Sequence, residues 1–236
     1  MTCYDKYLNE VNFPKNDMIF VGEGIYGSVY RHEANSTSCV KFIRNDRGRL
    51  NKDLFAALSS INSDYLYKLL NFYYKSKSYD SNLIGYEMKY YEPTKENILY
   101  LPIDYILNNF NELLKLGDIL AKNQIEFFDI HNGNFICTDD KIVLIDADEY
   151  MLHNDWSDQI YDMVKYNNCY EMRFLMYQLL DSAIDEYLDD DDNPNLINNR
   201  NQLRMLFTMV KSYNSDDIVK VLKPHNRTID FLTNKI

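Results

Sequence analysis

The sequence predicts an α+β chain in two lobes, a small antiparallel sheet with one helix followed by a mostly helical half. Three observations carry this reading. Short β-branched and aromatic runs, separated by turn residues, fill the first third of the chain. Beyond Pro93, apolar residues recur at i, i+3 and i+4, the period of a helix with one buried face. Three of the chain's seven glycines fall within six residues, between two of the strand-like runs.

In order along the chain, residues 18–23 and 27–32 read as strands flanking the glycine turn, and 38–43 (SCVKFI) as a third. A helix is expected over 50–61, with Leu54, Ala57, Leu58 and Ile61 on one face. Strands at 69–74 and 83–88 follow, separated by the polar stretch KSKSYDS. The pattern changes at 90–93. Residues 1–89 are therefore assigned to the sheet lobe and 90–236 to the helical lobe of a single domain, with no linker and no internal repeat. Phe110, Leu113, Leu114, Gly117, Leu120 and Ala121 predict a buried helix over 110–124. Runs at 134–137 and 141–145 meet across Thr138-Asp139-Asp140 as a hairpin. Met176, Leu179, Leu180, Ala183, Ile184 and Tyr187 form another helical stripe, and further helices are expected over 202–213 and 216–222.

Composition bounds the function. With 36 acidic residues against 25 basic ones, the net charge is −11, the wrong sign for displacing counterions from nucleic acid or docking on anionic membranes. No apolar run approaches the ~18–20 residues of a membrane span. The first residues, MTCYDKYLNEVNF, lack a charged-then-apolar leader pattern. Cys3, Cys39, Cys137 and Cys169 are scattered without a C-x-x-C pair and read as reduced, packed thiols. The expected setting is the cytoplasm, or a host cell reached without a classical signal peptide. The acidic run at 189–192 does not make a calcium loop, because its sixth and twelfth positions hold Pro194 and Arg200 instead of glycine and glutamate.

Gly22-Glu23-Gly24-Ile25-Tyr26-Gly27-Ser28-Val29 spells G-x-G-x-x-G-x-V between two strands. A dinucleotide site needs strand, turn and helix, but the residues after Gly27 lead into another strand. That context leaves a glycine-rich hairpin turn or a flap over nucleotide phosphates. Lys41 stands inside the apolar strand CVKFI, where it either faces solvent or reaches the phosphates of ATP. Asp129, Asn134 and Asp146 are polar groups set among apolar neighbours, five and twelve positions apart, and a hairpin can gather them. One amide and one carboxylate oxygen suit Mg²⁺, which takes few protein ligands, and a further carboxylate can accept a proton from an attacking hydroxyl. In a site of like charges, removal of the Asp146 carboxylate is expected to relieve repulsion and leave the ligand-free fold as stable as before.

This ordered set resembles the protein-kinase-like superfamily, from the flap to Asp146 and onward through the C-terminal helices. The resemblance implies a bilobal kinase fold, ATP and Mg²⁺ as cofactors, and transfer of the γ-phosphate to a hydroxyl. By it, Asp129 is the catalytic carboxylate, Asn134 and Asp146 hold the metal, and Lys41 grips ATP. Gly22, Gly24, Gly27 and Val29 form the flap, and adenine bonds to the main chain at Glu87 and Lys89 within Tyr86-Glu87-Met88-Lys89.

The departures from the family pattern are as informative. Phe127-Phe128-Asp129 stands where protein kinases carry H-R-D, so no arginine precedes Asp129 to pair with a phosphorylated loop. D-F-G is replaced by Asp146-Ala147-Asp148, no A-P-E is present, and Asp53 is the acid nearest to where a Lys41 partner belongs on the first helix. Only twelve positions separate Asp146 from Asp158, the expected start of the next helix. Asp129-Ile130-His131-Asn132-Gly133-Asn134 is similar to the D-x-H-x-G-N of aminoglycoside and choline phosphotransferases. The expectation is thus a compact, atypical kinase acting on a protein hydroxyl. The alternatives are a small-molecule kinase and a nucleotide-binding pseudokinase.

Overall fold

A computed structural model describes residues 2–5, 7, 9–12, 18–24, 27–32, 37–44, 52–77, 83–94, 101, 103–128, 132–146, 150–155 and 157–188. Asp129 and the helices expected over 202–213 and 216–222 lie outside the described residues. The protein is mixed α+β, with one large antiparallel sheet and, among the described residues, three α-helices. None of these helices is long and apolar enough to cross a membrane. The chain divides into two compact units, Met1–Glu92 with Leu144–Leu152, and Pro93–Val143 with His153–Ile236.

The first unit is built on strands β1 (Thr2–Tyr4), β2 (Glu10–Asn12), β3 (Met18–Gly24), β4 (Gly27–His32) and β5 (Ser38–Ile43). After helix α1 (Lys52–Ser60) come β6 (Leu69–Tyr74) and β7 (Leu83–Lys89). Their order across the sheet is β2-β1-β6-β7-β5-β4-β3. The sheet is wider than the sequence suggested, because β1 and β2 are three-residue strands, too short to show alternation. Cys3 of β1 packs with Val40 and Tyr73, and Val11, Met18, Phe42 and Ile84 join them, so the N-terminal hairpin closes one face of the sheet. Helix α1 covers the other face. Its buried Leu54, Phe55 and Leu58 follow the i, i+1, i+4 spacing of an amphipathic helix. Phe55 meets the rings of Phe72 and Tyr86 at centroid distances of 5.4 and 5.3 Å.

The second unit holds α2 (Ile103–Lys122), β8 (Ile125–Phe127), a 3-10 turn at Asn132–Asn134, and β9 (Phe135–Cys137). Strand β10 (Ile142–Leu144) pairs with β9, as expected for the 134–145 hairpin, and the long α3 (Asp158–Leu188) follows. Between these two elements, β11 (Tyr150–Leu152) returns to the first unit. Helix α2 begins seven residues before its apolar stripe because a polar residue, Asn109, occupies a buried position. Its amide donates to Tyr105 O at 2.7 Å and accepts from Ile142 N at 2.9 Å, while Tyr105 Oη donates to Thr138 O at 2.8 Å. These bonds fasten the β9–β10 hairpin to α2. Ser157 caps α3 by accepting from Ile160 N at 3.3 Å.

Candidate functional site

Within the first unit, one row of side chains crosses the sheet. Gly22 lies opposite Val29, Val29 opposite Lys41, and Lys41 opposite Tyr86, so these residues share a face. Strands β3 and β4 close on the Gly24–Gly27 pair, with a register shift between Phe20 and Gly22 that bulges the edge strand. The three glycines differ in what they are for. A Cβ on Gly27 would sit 2.0 Å from the main-chain oxygen of Phe42, so the passage of β5 itself requires glycine there. Nothing lies within 4 Å of a Cβ on Gly22 or Gly24, so the chain's own packing does not require either. Arg44, which carried no signal in the sequence, bonds the side chains of both Glu23 and Ser28 and ties the hairpin stem to the end of β5.

Lys41 does not face solvent. It is 5% exposed, and its Nζ donates to Asp146 Oδ1 at 2.6 Å across 105 positions of sequence. Asp53, the acid expected nearest to this lysine, is instead exposed in the first turn of α1. There its charge favours the helix N-terminus. Asp146 is held by its approach. Leu144 N donates to Tyr65 O at 2.9 Å, and Tyr67 N donates to Leu144 O at 2.8 Å, pinning the main chain two residues upstream. The Tyr67 ring packs on Tyr86 and on Tyr150, at 6.4 and 6.5 Å between centroids. At Asp146 itself φ is 81°, a left-handed conformation uncommon for a residue with a Cβ. Strain of this kind costs about 1–3 kcal/mol and concentrates at functional sites. The opposite charge on Lys41 also reverses the expectation that removing Asp146 relieves repulsion.

Glu87 and Lys89 are placed differently from the row. Glu87 alternates with Tyr86 onto the opposite face, where its carboxylate accepts from Tyr73 Oη at 3.0 Å. Burial, with the Glu87 charge added, raises the Tyr73 phenol well above its usual range and pushes the Cys39 thiol up to about 12. The main chain of Glu87 is flanked by Val40 on one side and Asn71 on the other, and Lys89 N donates to Lys68 O at 2.9 Å. Both residues are engaged in the sheet. The chain leaves β7 at Tyr90, whose N–H donates to Thr37 O.

In the second unit, Asn134 ends the 3-10 turn and is buried as the chain enters β9. The approach to Asp129 runs along β8, held by residues that sequence reasoning missed. Asn168, fully buried on α3, donates to Ile125 O at 2.9 Å and to Gly117 O at 3.2 Å, and accepts from Phe127 N at 3.1 Å. Its side chain thus ties β8, α2 and α3 together. Among the described residues, no three His, Cys, Asp or Glu side chains converge as a metal cage. A divalent magnesium ion needs no such cage, since one carboxylate and one amide oxygen meet its preference for few, hard protein ligands. The donor types of Asp146 and Asn134 fit that ion. A scan against models of known protein families matches none, and a search of curated proteins finds no match.

Proposed function

We propose that the chain is an ATP-dependent phosphotransferase of bilobal, protein-kinase-like architecture, transferring the γ-phosphate to a protein hydroxyl. The observation that supports this reading is the buried Lys41–Asp146 pair, joined across 105 positions and ending on a carboxylate in a strained conformation. A lysine on the strand after a glycine hairpin and an aspartate after a later hairpin are the two charges a kinase site needs. Gly22 and Gly24, open above the row, leave room for phosphates to approach the backbone.

In this reading Lys41 exchanges its carboxylate partner for phosphate oxygens when ATP binds. Asn134 and Asp146 would hold Mg²⁺, which supplies positive charge against the triphosphate. Asp129 orients the acceptor hydroxyl and takes its proton as the oxygen attacks the γ-phosphorus, the bond to the bridging oxygen breaks, and ADP leaves. The D-x-H-x-G-N string and the twelve-position spacing to Asp158 favour a second reading in which the acceptor is a small alcohol. A cytoplasmic setting accords with four cysteines held as thiols, three of them buried.

The test is Mg²⁺-dependent thermal stabilisation by ATP, followed by label transfer from ATP to the chain itself, to generic proteins and to small alcohols. Stabilisation with transfer to protein supports the leading reading, and transfer to alcohols alone supports the second. Stabilisation with no transfer makes the chain a nucleotide-binding module. No stabilisation by any nucleoside triphosphate overturns all three.

A further inference from the structure

The stretch between Asp146 and Asp158 is too short for a peptide-binding loop, and Phe128 removes the arginine that would tether it through a phosphate. The second unit contains a different tether. Glu126 is the middle residue of β8, only 3% exposed, between two buried apolar neighbours, Ile125 and Phe127. A carboxylate in such a place is costly unless its oxygens are bonded. Both are. Oε2 lies 2.7 Å from His153 Nε2, and Oε1 accepts from Asn167 Nδ2 at 2.6 Å. An ionised Glu126 can only accept, which requires the imidazole to donate from Nε2 in this pair. His153 is also held by its main chain, N–H to Gln124 O at 2.9 Å. It stands seven positions after Asp146 and five before Asp158.

The strand that receives His153 is itself locked. Gln124, at φ 62°, turns the chain sharply out of α2 into β8, and Asn168 bonds the main chain at Ile125 and Phe127. Three positions after Glu126 comes Asp129. One buried carboxylate therefore joins a strand leading to Asp129, a histidine ending the stretch that begins at Asp146, and helix α3 through Asn167.

We infer that Glu126 and His153 are positioning residues, a clamp that fixes the end of the post-Asp146 stretch on the strand that precedes Asp129 in the sequence, with no phosphate required. The inference rests on the phosphotransferase reading for its consequence, a permanently assembled acceptor side. Its physical core, the clamp itself, is measured without catalysis. Hydrogen exchange is followed on the full chain for wild type, Glu126→Leu, His153→Ala and His153→Gln, with circular dichroism as the check on folding. Opening one charge-assisted bond should speed exchange over 150–155 and 125–128 by about ten- to a hundredfold in the Leu and Ala variants. His153→Gln, which keeps a donor, should stay within about threefold of wild type. With the acceptor found by the label-transfer assay, the same Leu and Ala variants should lose kcat while the KM for ATP holds.

Unchanged exchange in folded Glu126→Leu and His153→Ala overturns the clamp. So does a uniform rise in exchange across the whole second unit, which marks a merely structural pair, or failure of His153→Gln to rescue. If Glu126→Leu does not fold, His153→Ala and His153→Gln decide alone. Wild type that never transfers phosphate defeats the phosphotransferase reading and leaves the exchange result standing on its own.

Discussion

Replacing Asp146 with alanine should destabilise the ligand-free protein, the reverse of what a cluster of carboxylates would do. The Lys41 side chain is 6% exposed and its Nζ lies 2.6 Å from the carboxylate it would lose. Removing one partner of a buried ion pair costs about 3–5 kcal/mol, because the remaining charge stays out of water. The Asp146 side chain is 22% exposed, which lets some water reach the vacancy and places the expected loss near the lower end, about 3 kcal/mol. For a chain of this size that corresponds to a fall in Tm of roughly 6–12 °C.

Two companion variants separate the causes. Asp146→Gly loses the same ion pair but relieves the left-handed strain at φ 81°, so it should be about 1 kcal/mol more stable than Asp146→Ala. Lys41→Met combined with Asp146→Ala removes both charges and should recover most of the loss, since apolar replacement of a whole buried pair is often neutral or stabilising. Thermal and urea unfolding of the single and double variants, combined as a double-mutant cycle, give the coupling directly. An unchanged Tm in Asp146→Ala, or a double variant no more stable than that single one, would refute the reasoning.

The flap glycines should divide by role. Gly27→Ala forces a Cβ onto the Phe42 carbonyl and should lower Tm severely, while Gly22→Ala and Gly24→Ala should keep Tm and weaken ATP binding in the same thermal-shift assay. At Asp118, burial alone would raise the carboxyl, but bonds from Lys122, Lys165 and Tyr161 outweigh it and hold it below its usual range. A depressed folded-state value means stability present above the unfolded value near 3.9 and lost as pH falls through the folded one. Asp118→Asn should therefore cost on the order of 1 kcal/mol at pH 7 and progressively less as pH falls through the acid range, read from urea midpoints across it. Finally, Tyr150 is 2% exposed, so no modifying enzyme reaches its hydroxyl in the folded chain, and phosphatase treatment should leave both intact mass at this residue and initial rate unchanged.

How far the sequence could be read depended on whether the signal was local. The strands β3 to β7 and the 134–145 hairpin announced themselves through short β-branched and aromatic runs bounded by turn residues, while the registers came only from the fold. The start of α2 did not, because Asn109 interrupts the apolar stripe and is satisfied by Ile142, 33 positions away. Asn168 and Glu126 were hidden for the same reason. Glu126 is a lone polar residue among apolar neighbours and Asn168 stands beside another asparagine in a mixed stretch, and each has a partner 41 positions distant that no window of sequence contains. Lys41 carried a signal but not its resolution. Its strand position told of a charge in an apolar setting, and only the fold shows that Asp146, rather than an acid on α1, stands against it.

That substitution has a thermodynamic consequence for the proposed chemistry. Asp146 is the counter-charge of Lys41, and in the proposed chemistry the same carboxylate would also serve the metal. Phosphate that arrives alone draws Lys41 away and leaves Asp146 facing more negative charge, with no cation to offset it. A cation that engages Asp146 alone leaves the ammonium of Lys41 buried without its carboxylate. Each half-reaction breaks the 2.6 Å pair and replaces only one side of it, whereas Mg²⁺ and ATP together replace both. On the proposed chemistry the two ligands would therefore be positively coupled through a single ion pair. By linkage, the factor by which Mg²⁺ tightens ATP equals the factor by which ATP tightens Mg²⁺. Coupling energies of this sort run to about 1–3 kcal/mol, and abolishing the pair with Lys41→Met should shrink the factor because Asp146 is then already released.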